Sequence, residues 1–164
     1  MLKTHRLKLR NLEKEDAEVI FQYRNDPNCS KYQRYDDTSI SQIKSFIELY
    51  STSVFGEREE EQHFAVVRTE DNTLVGDLSV FFTEKDHCFT LGITISPKYQ
   101  NNGYAYELLT EVIKSLHTRY PTTELVALIE KENEKSLNLF KKLGFIEECY
   151  SDKLESYVYT KNLK

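Results

Sequence analysis

The sequence predicts an α+β domain in which a central mixed sheet of about seven mostly antiparallel strands is flanked by four helices. Three observations lead to this prediction. Strand-like alternation and helical periodicity follow one another in the order β-α-α-β-β-β-α-β-α-β-β. Short polar turns join the three central strands, as in an antiparallel meander. A strongly periodic helix then leads into an apolar strand, which is typical of a right-handed parallel crossover.

Length and composition indicate one globular domain over residues 1–164. The net charge of −5 lacks the basic excess of a nucleic-acid-binding protein, so we expect no nucleic-acid partner. No stretch approaches the roughly 20 apolar residues that span a membrane, and the start lacks the apolar run of a signal peptide. We therefore expect a cytoplasmic protein with no membrane partner.

The cysteines and histidines predict neither disulfides nor a metal site. Cys29, Cys88 and Cys149 are scattered without pairing or a C-x-x-C spacing, which favours reduced thiols. The histidines show no ligand spacing, so we expect no metal.

The first third of the chain predicts one strand and two helices. Residues 4–12 alternate apolar and polar side chains, as a half-buried strand does. The first helix ends before Pro27, because proline disfavours helical geometry in the preceding residue. Ser39 and Gln42 form a capping box that opens the second helix. We expect its apolar face to contain Ile40, Ile43, Ile47 and Tyr50.

Three strands are predicted at residues 63–68, 74–82 and 87–95. The third strand should place its apolar residues on one face, namely Phe89, Leu91, Ile93 and Ile95. Its other face should hold Thr90, Gly92 and Thr94. A glycine inside a strand marks a bulge or a close approach by another group.

The remaining segments predict two helices and three strands. The first of these two, which is the third helix of the chain, has an apolar stripe formed by Ala105, Leu108, Leu109, Val112, Ile113 and Leu116. Residues 125–129 form a continuous apolar run, which predicts a strand buried on both faces. A fourth helix runs from Asn133 to Leu143 and stops at Gly144. Final strands lie near residues 145–150 and 157–161.

The segment from Ser96 to Ala105 is the most informative for chemistry. It joins the end of a strand to the start of a helix, where backbone N–H groups without helical partners bind anions such as phosphate. Gly103 would allow a ligand to approach the backbone closely. An ordinary strand-to-helix turn is the alternative interpretation.

A second informative segment follows the apolar strand. Asn133 stands where that strand ends and the fourth helix begins. Its amide could contact a ligand lying across the strand ends, or it could simply cap the helix.

Together these segments resemble the GNAT superfamily of N-acetyltransferases. The family's phosphate-binding motif, Q/R-x-x-G-x-G/A, matches Gln100 to Ala105. An Asn-led helix ending in L-G-F matches Asn133 to Phe145. The opening L-K-L-R-N-L at residues 7–12 and the Y-R-N-D-P at residues 23–27 are similar to the ribosomal-protein N-terminal (RimJ/RimL-type) branch.

The resemblance implies a GNAT-like acyl-CoA N-acyltransferase fold, with acetyl-CoA as co-substrate and an amine as acceptor. Backbone amides would hold the coenzyme A pyrophosphate, namely those of Gln100, Asn101, Asn102, Gly103, Tyr104 and Ala105. The backbone of Ile93, Thr94 and Ile95 would pair with the pantetheine arm, and an amide at a nearby bulge would polarise the thioester carbonyl. Asn133 would contact the pantetheine or help to shape its slot. The family also includes dimers, which makes a homodimer an expectation by analogy.

The departures from the family pattern concern the acid and the base. Many members protonate the leaving thiolate with a tyrosine whose position here is held by Phe140, which could only line the coenzyme slot. In the ribosomal-protein branch a serine is the suggested donor, and Ser136 matches it. No carboxylate precedes Gly92, where many relatives carry their base. The nearby candidates are Asp77, Glu130, Glu132 and His87.

The acceptor site should lie between the first two helices, residues 33–37 and the last two strands, with tyrosines that could line it: Tyr32, Tyr35, Tyr157 and Tyr159. The acceptor stays open among a protein N-terminus, a polyamine, an aminoglycoside and a small metabolite. Three other functions also remain open. They are transfer of a longer acyl group, non-catalytic binding of coenzyme A and binding of a nucleotide, although the loop lacks the Lys-Ser/Thr ending of a P-loop.

Overall fold

The computed structural model describes residues 1–30 and 39–162 and confirms the predicted fold class. The strands are β1 (Leu7–Arg10), β2 (Gln62–Arg68), β3 (Leu74–Thr83), β4 (Cys88–Ile95), β5 (Glu124–Ile129), β6 (Ile146–Ser151) and β7 (Ser156–Lys161). The α-helices are α1 (Ala17–Arg24), α2 (Pro27–Ser30), α3 (Ile40–Tyr50), α4 (Tyr104–Arg119) and α5 (Glu134–Lys142). Short 3₁₀ turns occupy Lys14–Asp16 and Pro97–Tyr99.

The strands form one sheet in the order β1-β2-β3-β4-β5-β7-β6. β4 and β5 are parallel and are connected through α4, as the predicted crossover requires. The other neighbouring strands pair antiparallel, including the predicted meander of β2, β3 and β4. The crossover places the end of β4 and the start of α4 beside the centre of the sheet.

The helices cover the two faces of the sheet unequally. α4 and α5 contribute Leu108, Leu109 and Phe140 to a large core that extends from β1 to β7. α1 and α3 form a smaller core that includes Ala65, Val67 and Leu74 of β2 and β3. Within the described residues, the α1/α3 side of β4, β5 and β7 therefore has no helix packed on it.

Two helix predictions need correction. The structure describes five α-helices rather than four, because Pro27 does not only follow the end of α1 but also begins the short α2. Proline suits that first helical position because its missing N–H would have no partner there anyway. In α3 the buried face is formed by Ile43, Phe46 and Ile47, whereas Ile40 is exposed. The capping box is confirmed, with reciprocal Ser39–Gln42 bonds of 3.1 Å.

The prediction that β5 is buried on both faces is wrong. Leu125, Ala127 and Ile129 are buried against α4 and α5, but Leu128 on the other face is 43% exposed. A parallel strand becomes apolar on both sides only where both sides are covered. Within residues 1–30 and 39–162 no helix covers the second face of β5, which leaves Leu128 exposed.

Candidate functional site

β4 and β5 diverge to form a cleft in the middle of the sheet. Their pairing is limited to Cys88–Thr90 with Glu124–Val126. Beyond Thr90, residues 91–95 of β4 have no β5 partner, although they remain paired with β3 on the other side. The unpaired backbone edge of β4 can accept an extended ligand as an added strand. Ile93, Thr94 and Ile95 lie on this edge, and their pairing with a pantetheine arm stays a prediction.

The predicted bulge near Gly92 is absent on the β3 side, because the register between β3 and β4 runs unbroken from Gly76–Ile95 to Thr83–Cys88. Gly92 instead accommodates a close approach by Ser79. A Cβ atom at Gly92 would lie 2.5 Å from Ser79 Oγ, which donates a hydrogen bond of 3.3 Å to the Gly92 carbonyl. The absence of a side chain at Gly92 therefore allows this close contact between β3 and β4.

The phosphate loop, defined as residues 100–105, joins the open end of the cleft to α4. Asn101 and Gly103 have left-handed backbones, with φ of 66° and 77°. Across the described chain, the N–H groups of residues 101–106 make no hydrogen bond. These amides, combined with the positive end of the α4 dipole, form an environment suited to a phosphate group.

Side-chain amides hold the phosphate loop to the end of β4. Gln100 Nε2 donates to the Ile95 carbonyl at 2.9 Å, and Asn102 Nδ2 donates to the Tyr99 carbonyl at 2.9 Å. The Gln100 side chain therefore faces the protein rather than a ligand. This contact explains why the first position of the motif has a long side chain with hydrogen-bond donors.

Arg6 connects the phosphate loop to the N-terminal segment. Its guanidinium donates to the Asn102 carbonyl at 2.8 Å and to a Glu107 carboxylate oxygen at 2.8 Å, and it lies over the Tyr104 ring at 4.6 Å. Thr4 Oγ1 and the Arg6 N–H also donate to Glu107, at 2.5 and 2.9 Å. The loop therefore has a fixed conformation before any ligand arrives, which lowers the entropy cost of binding.

The charge state of Glu107 supports this network. Burial raises the pKa of Glu107, but hydrogen bonds from Thr4 and Arg6 outweigh that effect and hold the pKa below its ordinary value. Glu107 is thus a carboxylate at neutral pH, and it offsets the positive charge of Arg6. Sequence reasoning missed this pair, since nothing in a single sequence links an arginine in the N-terminal segment with a glutamate in the first turn of α4.

The second predicted segment lies beside the end of β5. Asn133 caps α5, because its side-chain oxygen accepts a hydrogen bond of 3.2 Å from the Ser136 N–H. Its predicted contact with pantetheine therefore depends on its remaining Nδ2 donors. Ser136 is half-buried in the first turn of α5, and its hydroxyl bonds to nothing in the described chain. That hydroxyl is available to a ligand.

Phe140 lies in the large core, where it packs edge-on against Phe145 with a centroid distance of 5.1 Å. It is 4% exposed, so a bound coenzyme could touch only its edge. Its predicted place in the coenzyme slot stays a prediction.

The four candidate bases occupy different surroundings. His87 is exposed in the turn before β4, at the closed end of the β4–β5 pair. Glu132 is exposed and Glu130 half-buried after β5. Asp77 is buried on β3, opposite Thr94 of β4, and accepts a hydrogen bond from the hydroxyl of Tyr23. Asp77 alone among the four is a buried carboxylate beside the open part of β4.

The predicted acceptor tyrosines are divided by the structure. Tyr159 is a residue of the large core and is 2% exposed, so it is not a lining residue of an acceptor site. Tyr157 is half-buried against the same core. Tyr32, Tyr35 and the loop at residues 33–37 lie outside the described residues. Sequence reasoning also missed Tyr23, whose link to Asp77 depends on how α1 packs on the sheet.

Neither a membrane-spanning helix nor a metal-binding cluster occurs in the described part of the chain. No helix in it is long and apolar enough to cross a membrane. No group of three or more histidine, cysteine, aspartate or glutamate side chains in residues 1–30 and 39–162 could hold a metal ion.

Comparisons with known proteins agree with this geometry. The model of the acetyltransferase (GNAT) domain family matches residues 6–146. Spermidine N(1)-acetyltransferase from Escherichia coli K12 is 26% identical over 145 residues, which cover 88% of this chain and 75% of that protein.

Solved structures show the same fold. A Vibrio cholerae protein assigned as a ribosomal-protein-serine acetyltransferase superposes with a TM-score of 0.81 at 24% identity, covering 98% of this chain and 95% of that one. The microcin C7 self-immunity acetyltransferase MccE, in complex with acetyl-CoA and AMP, superposes with a TM-score of 0.79 at 17% identity, covering 96% and 93%. The family match extends over most of the sequence, including the cleft and the phosphate loop, and the chain therefore belongs to the GNAT family and is an acetyl-transfer enzyme.

Proposed function

We propose that this protein is an N-acetyltransferase that moves the acetyl group of acetyl-CoA onto a primary amine by direct attack in a ternary complex. The observation that carries the proposal is the cleft between β4 and β5, whose open end leads to the unpaired N–H groups of the phosphate loop. Pyrophosphate on those amides and pantetheine along residues 93–95 would place the thioester deeper in the cleft, near Gly92.

The amine would reach the thioester from the α1/α3 side of the sheet. That side is bare over β4, β5 and β7 within the described chain, whereas α4 and α5 cover the other. A lysine-like amine has a pKa near 10.4, so removing its proton at pH 7 costs about 4.6 kcal/mol. Holding amine and thioester in line contributes about 7–11 kcal/mol, which makes positioning the larger effect.

Ser136 is our candidate for the proton donor to the departing thiolate. Its hydroxyl is half-buried, lies in the first turn of the helix that follows β5 and has no partner in the described chain. Phe140 cannot perform this role because it has no ionisable or hydroxyl group.

The acceptor class is tested by measuring thiol release from acetyl-CoA in the presence of a panel of amines. The panel contains spermidine, aminoglycosides, single amino acids and peptides with different N-terminal residues, and mass spectrometry identifies the acetylated product. We expect release that depends on one class of amine. Tight binding of acetyl-CoA without transfer to any amine would contradict the proposal and favour a coenzyme A-binding domain.

A further inference from the structure

The acceptor face is the part of the sheet on which no described helix packs, and it consists of the residues that β4, β5 and β7 turn toward the α1/α3 side. Its members are Thr90, Gly92, Thr94, Val126, Leu128, Val158 and Thr160. Leu128 is 43% exposed, and Val126 and Val158 are half-buried. The part of the acceptor face that β5 and β7 contribute is therefore largely apolar, which suits the hydrocarbon part of an amine.

Asp77 stands at the edge of the acceptor face. It lies on β3 directly opposite Thr94, and its side chain points to the α1/α3 side. Asp77 is 6% exposed, and Thr94 is 7% exposed. The cleft lies on the far side of β4, two strand spacings or roughly 10 Å from β3, so a short chain of water molecules would connect the carboxylate with an amine at the cleft.

No cation in the described chain pairs with Asp77. Its hydrogen-bond partner is the hydroxyl of Tyr23, which is itself buried. The other charged groups nearby are occupied elsewhere. Arg24 of α1 lies over the Phe46 ring at 4.5 Å, and His63 of β2 is bonded to Glu61 at 2.8 Å. The directly opposed residue of β2 is Ala65, and α3 contributes only apolar side chains to the adjacent core.

A buried carboxylate whose partner is one phenol destabilises the folded protein. The free energy lost when a charge leaves water is offset only by a cation or by several hydrogen bonds. Proteins retain such destabilising buried charges at sites of binding or catalysis. An ammonium group on the acceptor face would supply the missing positive charge. The site therefore selects for a cationic amine with an apolar stem.

We propose that Asp77 is the general base of the reaction, held in place by Tyr23, and that it receives the acceptor amine in its ammonium form. This inference rests on the proposed function. The ammonium gives one proton to the chain of bridging waters, which passes one proton on to the Asp77 carboxylate. The nitrogen lone pair then attacks the thioester carbon and forms the C–N bond. The C–S bond breaks with its electron pair on sulfur, the thiolate takes a proton from the Ser136 hydroxyl, and the second nitrogen proton restores that hydroxyl.

Asp77→Asn is the central variant, because it keeps the size and the bond from Tyr23 but removes the base. We expect kcat/KM for the amine to fall about 10²-fold at pH 7, with the KM for acetyl-CoA unchanged. The deficit should shrink as pH rises toward the pKa of the amine, because free amine then needs no base. Glu84→Gln, in the exposed turn between the same two strands, is the matched control and should retain wild-type kinetics.

Tyr23→Phe gives a second test that does not remove the carboxylate. The kcat for the amine should fall while the KM for acetyl-CoA stays constant, since the Asp77 carboxylate loses the hydrogen bond from Tyr23 that holds it in position. Circular dichroism and calorimetric titration with coenzyme A verify that each variant is folded.

The outcomes separate the two proposals. An active wild type with an equally active Asp77→Asn, or with an Asp77→Asn deficit that is the same at every pH, overturns the role of Asp77 and leaves the proposed function intact. A wild type that binds acetyl-CoA but acetylates no amine overturns the proposed function and this assignment with it.

Discussion

At the proposed coenzyme end of the cleft the groups available to a ligand are backbone amides, whereas at the proposed acceptor end they are side chains. The phosphate loop presents the N–H groups of residues 101–106, and its own side chains are used to hold its shape. The acceptor face, where we propose that the amine binds, presents Leu128 and Val126, with the buried carboxylate of Asp77 at its edge. Backbone amides tolerate many sequences, but side chains do not. One fold can therefore keep a common donor while its acceptor changes from protein to protein.

The largest effect that we predict for the coenzyme end concerns Ser136. Replacing it with alanine should lower kcat about 10²-fold, because the thiolate then leaves without a proton donor. The KM for acetyl-CoA should stay constant, since the hydroxyl would act on the leaving group and not on binding. Steady-state kinetics with both substrates varied would show this separation.

Ser51→Ala is the control for Ser136, since Ser51 ends α3 and donates only to the Glu48 carbonyl. An unchanged kcat in Ser136→Ala would mean that water alone protonates the sulfur.

A smaller effect is expected from Gly103→Val. A β-branched residue at a φ of 77° costs about 1–2 kcal/mol, and relief of that strain would turn the loop amides away from the pyrophosphate. The KM for acetyl-CoA should rise roughly 10-fold while the KM for the amine changes little. Thr118→Val on the exposed side of α4 serves as control. An equal rise in the KM for acetyl-CoA and the KM for the amine would show that the phosphate loop does not act on the coenzyme alone.

Arg6→Lys should raise the KM for acetyl-CoA by less than Gly103→Val does. Lysine can pair with Glu107 but cannot also reach the Asn102 carbonyl with a planar fork, so one hydrogen bond to the loop is lost. A loss of about 1 kcal/mol predicts a KM for acetyl-CoA about 5-fold higher, with kcat unchanged. Calorimetric titration with coenzyme A measures the same difference without turnover. A variant that binds coenzyme A as tightly as the wild type would show that Arg6 does not support the phosphate loop.

The smallest effect that we predict is the contribution of Glu107 to the free energy of unfolding, which depends on pH. Since its folded pKa lies below the ordinary value of 4.5, its stabilising contribution is present above pH 4.5 and is lost as pH falls through the lower folded value. The contribution should be at most about 1 kcal/mol, because Glu107 and Arg6 are partly exposed. Denaturant unfolding of the wild type and Glu107→Gln should differ near pH 6 and converge in acid. A constant difference would show that Glu107 stabilises by packing alone.

The same contrast explains what could be predicted from sequence. The strand and helix order follows from local periodicity, and the phosphate loop from a motif of consecutive residues. Gly103 was expected at the loop for close approach, and its left-handed φ agrees with that use of glycine.

Contacts across the fold could not be predicted in this way. Tyr23 and Asp77 meet because α1 packs on β3, and Arg6 and Glu107 meet because β1 begins beside the first turn of α4. The exposed face of β5 was predicted to be buried, because an apolar run in the sequence does not tell whether a helix covers it. The chemistry of the acceptor end therefore depends on tertiary packing.

The central claim is direct transfer from acetyl-CoA to an amine held in the same cleft. It is tested most directly by initial rates of thiol release with acetyl-CoA and the active amine varied together. Double-reciprocal lines that intersect would agree with a ternary complex in which both substrates are bound before the C–N bond forms. Parallel lines would indicate an acetylated enzyme intermediate and would contradict the account.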